Sequence, residues 1–304
     1  MRRWPALWLG LACGLVLGNA CAYETDPYTH RLAPLVDAAP ALDREVNAAL
    51  REVLIEHGSE PREERIVAAV FHRLGGYYWV DHIERWAMDS PEVQKLPTPR
   101  WHSIYRDVPL HDSRISGLFG IGPSFLLDGN LIGTDKLGHF FSQGRKFWRR
   151  WRRLHDEGRA AAHSAFTERA IFGAPMTGVY SNADLVANYE GYRFYRSLFE
   201  DDVVPGKLAL LRWQDGHWIQ QRQFEWNDFV NAYWDEALNP NAYDGLLAPA
   251  MRRRLREFCP EVAQAPERYR VPPDEDARLQ QRYRQLQLRD RRDWRLDRLC
   301  AESG

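Results

Sequence analysis

The segment "GTDKLGHFFSQG", Gly133 to Gly144, puts an aspartate, a lysine and a histidine within five residues, at the start of a helical pattern whose other side is Phe and Trp. This restricts the fold tightly: the apolar face has to be covered, and the three ionisable groups beside it need water or partners. At 100° per residue Asp135 and His139 lie about 40° apart and Lys136 about 60° beyond His139, so the imidazole projects between the two charges. The same arc continues through Ser142, Gln143, Lys146 and Arg150, while Leu137, Phe141, Trp148 and Trp151 face the other way. Over residues 134–154, Thr134 is placed to cap the helix and Asp135 suits the positive end of the helix dipole. Lys136 does not suit it, and requires solvent or a carboxylate. Gly138 leaves room for a second helix backbone beside the polar arc.

"SNADLVANYEGYRFY" supplies a partner helix over residues 181–199. Ser181 and Asp184 take the first and fourth positions of a capping box, with Asp in place of the usual Glu or Gln. Asp184, Asn188, Gly191 and Tyr195 then share one narrow face, small and polar enough for close contact with another polar helix. Between the two helices, "FTERAIFG" carries Glu168, a carboxylate able to pair with Lys136.

These residues carry a family likeness. "DKLGHF" resembles the Asp-Lys-x-x-His-Phe signature of the VanZ-like proteins and of the small bacterial lipoproteins called YfiM, and a helical Glu followed by "SNADLVANYEG" is similar to the second half of the lipoprotein pattern. The resemblance runs from Gly133 to Tyr195 and leaves both ends of the chain unexplained. It implies a helical, envelope-associated domain with Asp135, Lys136, His139, Glu168 and Asp184 gathered together, and it implies no particular reaction. The chain departs from the membrane-embedded VanZ-like proteins in having no later apolar span, and from the small lipoproteins in its hairpin and long C-terminal region.

Such a set of residues has three possible uses. In a catalytic site, Asp135 would orient His139 through one ring nitrogen and leave the other as general base or metal ligand. Glu168, Asp184 and Asn188 would stand around it, and Lys136 or Arg150 would stabilise an anionic oxygen. A divalent metal would take Asp135, His139 and Asp184, although one imidazole among carboxylates is sparse for zinc. In a structural network the same groups fix how the helices pack, without turnover. In a binding site they hold a ligand without chemistry. No Ser or Cys nucleophile with supporting residues is visible, which argues against an acyl-enzyme route. The run "RKFWRRWRR" adds Lys146, Arg149, Arg150 and Arg153 on the polar side. They form either a solvated face suited to a helix C-terminus or a seat for phosphates of lipid A, phospholipid or teichoic-type polymers. Hydrolysis or binding of an envelope lipid or glycan is one expectation; a scaffold or interaction protein of the envelope is the alternative. His72, His82, His102 and His111 have no partners visible in sequence and read as ordinary hydrogen-bonding side chains.

The first 22 residues have a basic start, a short apolar stretch and small residues at the end, the pattern of a secretory signal peptide. Export to the periplasm follows, with Tyr23 as the new N-terminus or Cys21 as a lipidated one. Cys259 and Cys300 remain, and an oxidising compartment favours their pairing over two separate thiols. With 41 Lys+Arg against 42 Asp+Glu, overall charge offers no argument for nucleic acid. The 12 Trp and 13 Tyr beside abundant Arg suit either aromatic core packing or a surface facing lipid, glycan or protein.

The fold class is mainly α: one irregular helical domain over residues 23–258, one β-hairpin at 207–224 turning on Asp215-Gly216, and a charged helical arm over 259–304. Further helices are predicted over 42–57, 61–74, 77–88, 227–238 and 246–258, with a piece near His163 to Phe172 and a charged helix from Asp274 onward. Residues 90–100 read as loop, and "SGLFGIGPSFLLDGN" as a buried connection broken by Gly and Pro.

Overall fold

The computed structural model describes residues 23–76, 80–106, 108, 120–168 and 178–301. The leader with Cys21, the 77–79 start of the aromatic helix, His111 and the end of the helical piece at Phe172 lie outside the described residues. The architecture is mainly α, 53% helix and 11% strand.

Helix α1 (Ala39–His57) forms where apolar residues recur at helical spacing; it buries Leu42, Val46, Ala49, Leu50 and Val53, and the N–H of Gly58 closes it on the Leu54 carbonyl. Helix α2 (Glu63–Leu74) starts with Glu63 and Glu64 at the positive end of its dipole and ends where Gly75 bonds back to Phe71. A short α3 (His82–Asp89) follows. The motif helix is one rod in three parts: α4 (Asp135–Gly138), a π-helical segment (His139–Gln143) and α5 (Gly144–Leu154). In the π segment the N–H of Gly144 reaches back five residues to the His139 carbonyl. Helix α6 (Glu157–Thr167) is capped by Asp156, and α7 (Asn182–Ser197) by Ser181, whose oxygen accepts the N–H of Asp184 at 3.1 Å.

The motif rod and α7 run side by side in the same direction, because their contacts advance together: His139 with Asp184, Gly144 with Gly191, Trp148 with Tyr195. The approach is so close that a Cβ on Gly191 would stand 1.9 Å from the Phe140 carbonyl oxygen. The close contact expected of the Gly191 face is therefore present. Phe140 and Phe141 are both fully buried. The Phe140 ring lies 5.0 to 5.7 Å from those of Trp226, Phe194, Phe229 and Trp234, at the heart of a core that α1 and α2 share.

Among the described residues the strands are spread over four small sheets rather than one hairpin. Strand β1 (Tyr23–Thr25) pairs in parallel with β3 (Gly120–Gly122), and β2 (Lys95–Leu96), β4 (Ser124–Leu127) and β5 (Asn130–Gly133) form a sheet in the order β2-β4-β5. The stretch read as an irregular connection thus holds a second hairpin, turning through Asp128 and Gly129 at φ 48° and 74°. Its strand Ser124–Leu127 is buried at three of four positions, so it lacks the polar/apolar alternation that marks a half-exposed strand. The expected hairpin is present as β7 (Leu211–Gln214) and β8 (His217–Gln220), with Asp215 and Gly216 at φ 50° and 80°. Strand β6 (Val179–Tyr180) pairs with β9 (Ala242–Tyr243).

The helix expected over 227–238 is instead two single 3₁₀ turns, Trp226–Asp228 and Ala232–Trp234. Between them the Asn231 side chain accepts the N–H of Tyr233, competing with helical bonding. Helix α8 (Ala248–Arg256) matches expectation, and α9 (Cys259–Gln264) follows it. The charged C-terminal helix is interrupted: α10 (Pro273–Arg282) gives way to a turn at Arg292–Trp294 and then α11 (Leu296–Ala301). Leu279, Tyr283 and Leu286 join the main core, and the Tyr283 hydroxyl donates to Glu190 at 2.7 Å. Cys259 and Cys300 form a disulfide between α9 and α11, with Cα atoms 5.4 Å apart. Among the described residues no helix is long and apolar enough to cross a membrane.

Candidate functional site

Strand β5 leads directly into α4 and sets Asp135 and Lys136 against the N-terminal turn of α7. Lys136 is 1% exposed, and its Nζ lies 2.6 Å from Asp135 Oδ2, 2.6 Å from Asp184 Oδ1 and 2.7 Å from Glu236 Oε1. The carboxylates are themselves held. Thr25 donates to Asp135 Oδ1 at 2.9 Å, and Ser181 and Asn241 donate to the two oxygens of Glu236 at 2.9 Å each. Gly133 makes room for the first of these contacts: a Cβ there would fall 1.9 Å from the Thr25 hydroxyl. Burial pulls the Lys136 ammonium toward losing its proton, but Asp135, Asp184 and Glu236 together hold its pKa well above the ordinary lysine value. Burial likewise opposes ionisation of Asp184, yet His139 and Lys136 keep its carboxyl below the usual range. Glu236 is raised by burial despite its lysine.

The buried lysine needs a carboxylate, as its position predicts, but the structure chooses differently from the sequence reading. Glu168 does not pair with Lys136; it accepts the N–H of Ser181 at 3.3 Å, and burial with Asp184 nearby lifts it to about 8. Glu236 takes the expected role. Its signal was the adjacent pair Asp235-Glu236 in an apolar run: each acid there needs a cation, and Asp235 finds Arg31 at 2.7 Å. The capping box is half present, since Ser181 caps α7 while the Asp184 carboxylate turns to Lys136 and His139. Thr134 makes no side-chain cap.

His139 stands at the edge of this cluster, 24% exposed. Asp184, rather than Asp135, orients it: Nε2 lies 3.1 Å from Asp184 Oδ2, and Nδ1 lies 3.0 Å from Asn188 Oδ1. Asn188 in turn donates to Ser164 at 3.2 Å. Burial would lower the imidazole pKa, but Asp184 raises it to about 10, so at neutral pH the ring is a cation donating from both nitrogens.

Two further acids, absent from the sequence reading, lie beside Gly138. A Cβ on Gly138 would come within 2.9 Å of Glu84 Oε2, so this glycine admits an acid from α3 and not a helix backbone. Asp81 accepts from Ser142 at 2.6 Å, and Glu84 accepts the Asp81 N–H at 3.3 Å. Burial pushes Asp81 up to about 7 and, with Asp135 nearby, Glu84 to about 8. The Asp-x-x-Glu spacing of a capping box at 81–84 was the available signal.

A cleft of about 340 Å³ opens between α5, α6 and α7. Lys146, Arg149, Arg150 and Arg153 line it from α5, with Phe147 and Ala160 as apolar floor; His163, Ser164 and Thr167 line it from α6, and His139 and Asn188 complete it. Among the described residues no carboxylate lines it. Burial and the neighbouring Arg153 pull Arg150 below the ordinary value, and His163 is lowered by burial, Arg150 and Arg153. Of the six residues expected to form a catalytic group, only His139 and Asn188 reach this cleft; Asp135, Lys136, Glu168 and Asp184 lie behind them.

Asp135, His139 and Asp184, the expected metal trio, each offer a donor atom within 4.8 Å of the others. The Lys136 ammonium already contacts both aspartates, and Asp184 gives its other oxygen to His139. A divalent ion would therefore have to displace a cation held by three carboxylates. Comparison with protein-family models, with curated proteins and with solved structures gave no match.

Proposed function

We propose that this chain binds a phosphate-bearing group of an envelope lipid or glycan in the α5–α6–α7 cleft, with His139 as a fixed cation at its inner end. The observation that carries this reading is the gathering of Lys146, Arg149, Arg150, Arg153 and His139 around one cleft with no lining carboxylate among the described residues. Clustered cations repel one another, and an oxyanion that bridges them removes that cost while accepting charge-assisted hydrogen bonds. Asp184, which Lys136 also contacts, holds His139 protonated and in place against the opposing charge of that lysine. The disulfide accords with an exported, oxidising setting. For the closed half of the cluster a structural role is favoured by the burial of Lys136, which no solute reaches.

Calorimetric titration with inorganic phosphate tests the reading. The wild-type chain is expected to bind, and an Arg150→Ala/Arg153→Ala variant to lose about tenfold or more in affinity, the worth of one charge-assisted bond. Vesicles containing phosphatidylglycerol, set against pure phosphatidylcholine, distinguish a lipid headgroup from free phosphate, and salt should weaken the interaction. No phosphate binding at millimolar concentration removes the proposal; equal binding to both vesicles removes its lipid version.

A further inference from the structure

His163 lines the same cleft from α6, and the binding role leaves it unused. Its ring stacks on Phe166, centroids 6.3 Å apart and planes within 27°, which steadies its orientation. Among the described residues neither of its ring nitrogens has a hydrogen-bond or ion-pair partner. His139 is the opposite case, with both nitrogens committed to Asp184 and Asn188. The charged groups facing His163 are Arg150 and Arg153, with Lys146, Arg149 and His139 around the rest of the cleft. Burial and the two arginines hold His163 below the ordinary value of 6.5, while His139 is held up to about 10. One cleft thus drives two imidazoles toward opposite protonation states, the free one neutral and the engaged one cationic, an arrangement that separates base from electrostatic stabiliser.

We propose, resting on the phosphate-binding reading above, that His163 is the general base of a phosphomonoester hydrolase, holding a water on its free nitrogen and directing it at a phosphorus whose oxygens lie against Arg149, Arg150 and Arg153. The water oxygen forms the new bond to phosphorus as one of its protons passes to His163. The bond from phosphorus to the ester oxygen breaks, and its electron pair leaves with that oxygen. A leaving phenolate needs no proton, whereas an alkoxide takes one from solvent at the cleft mouth. One water is consumed, orthophosphate and the alcohol are released, and His163 returns its proton to solvent. The arginines and the His139 imidazolium offset the charge on the phosphoryl oxygens.

The test uses the full chain with p-nitrophenyl phosphate as substrate and inorganic phosphate as ligand, wild type beside His163→Gln. Hydrolysis by wild type is expected, with kcat falling roughly 100-fold or more in the variant and phosphate affinity unchanged. The wild-type rate should rise with pH through a midpoint below 6.5, and added imidazole should partly rescue the variant. Phosphate binding by the variant certifies its fold; should glutamine unfold the chain, His163→Asn is read in the same way. Wild type that binds phosphate but does not hydrolyse the ester overturns the base assignment and leaves the binding reading standing, as does a variant with full activity. Wild type that does not bind phosphate overturns both.

Discussion

At Lys136 three carboxylates converge on one ammonium, and that arithmetic governs what a substitution does. Removing the cation leaves Asp135, Asp184 and Glu236 confronting one another out of water, and breaking a buried ion pair from one side typically costs about 3–5 kcal/mol. Lys136→Met should therefore lower unfolding free energy by about that amount in urea titrations, with the slope unchanged. A loss below about 1 kcal/mol, the range of an exposed pair, would remove the network from any structural role. The need itself was legible, because a lysine in the first turn of a helix whose other face is buried has to find an acid. Which acid was not legible. Glu236 is 100 positions away, in a segment whose pattern reads as helix, and only the fold brings it within 2.7 Å of the ammonium. Asp135 was likewise the natural partner for His139 by helical phase, but Thr25 and Lys136 claim it, and Asp184 takes the imidazole.

Between elements, the decisive contact is that of the motif rod with α7. Gly191 and Gly144 meet there, and a Cβ on Gly191 would collide with backbone rather than with a movable side chain. Gly191→Ala should destabilise by about 3 kcal/mol or more, the upper end of ordinary overpacking, because neither rod can yield alone. By pushing the rods apart it should also lengthen the His139–Asp184 bond and lower the pKa of His139 from about 10, read by NMR titration of the ring. An unchanged titration with normal stability would mean that the rods tolerate separation. Both helices were visible from apolar periodicity and from the aligned Asp184, Asn188, Gly191 and Tyr195. The π segment was not, since its wider turn depends on packing Phe140 and Phe141 into one core rather than on a local signal. The 3₁₀ turns near Trp226 and Ala232 escaped for the reverse reason: apolar spacing there mimics a helix while side-chain bonding to the backbone interrupts it.

For the molecule as a whole, groups shifted on folding make stability depend on pH. His139 is raised from 6.5 to about 10, Glu168 and Glu84 from 4.5 to about 8, and Asp81 from 3.8 to about 7. A group raised on folding contributes fully below its unfolded pKa and loses that contribution as pH rises through its folded one. All four therefore favour the folded state in mild acid and withdraw support between about pH 4 and 10. Asp184, lowered on folding, acts in the other direction and contributes above 3.8, losing its effect as pH falls. The melting temperature should accordingly peak at about pH 4–5 and decline steadily toward pH 10. A maximum above pH 8, or a flat profile, would contradict these assignments; circular dichroism melts at spaced pH values make the measurement.

Local pattern alone determined that this chain is mainly helical, that its Asp-Lys-x-x-His helix has a polar arc beside an apolar one, that four cations share one side of that helix, and that two cysteines are available to pair. Those properties follow from spacing, which helix geometry converts directly into faces. Tertiary structure decided which acids meet the lysine, and that His139 alone of the charged cluster faces the basic cleft with His163 opposite. These depend on contacts between residues distant in sequence, set by how the two rods and the segments around them pack, and spacing within one helix carries no information about that.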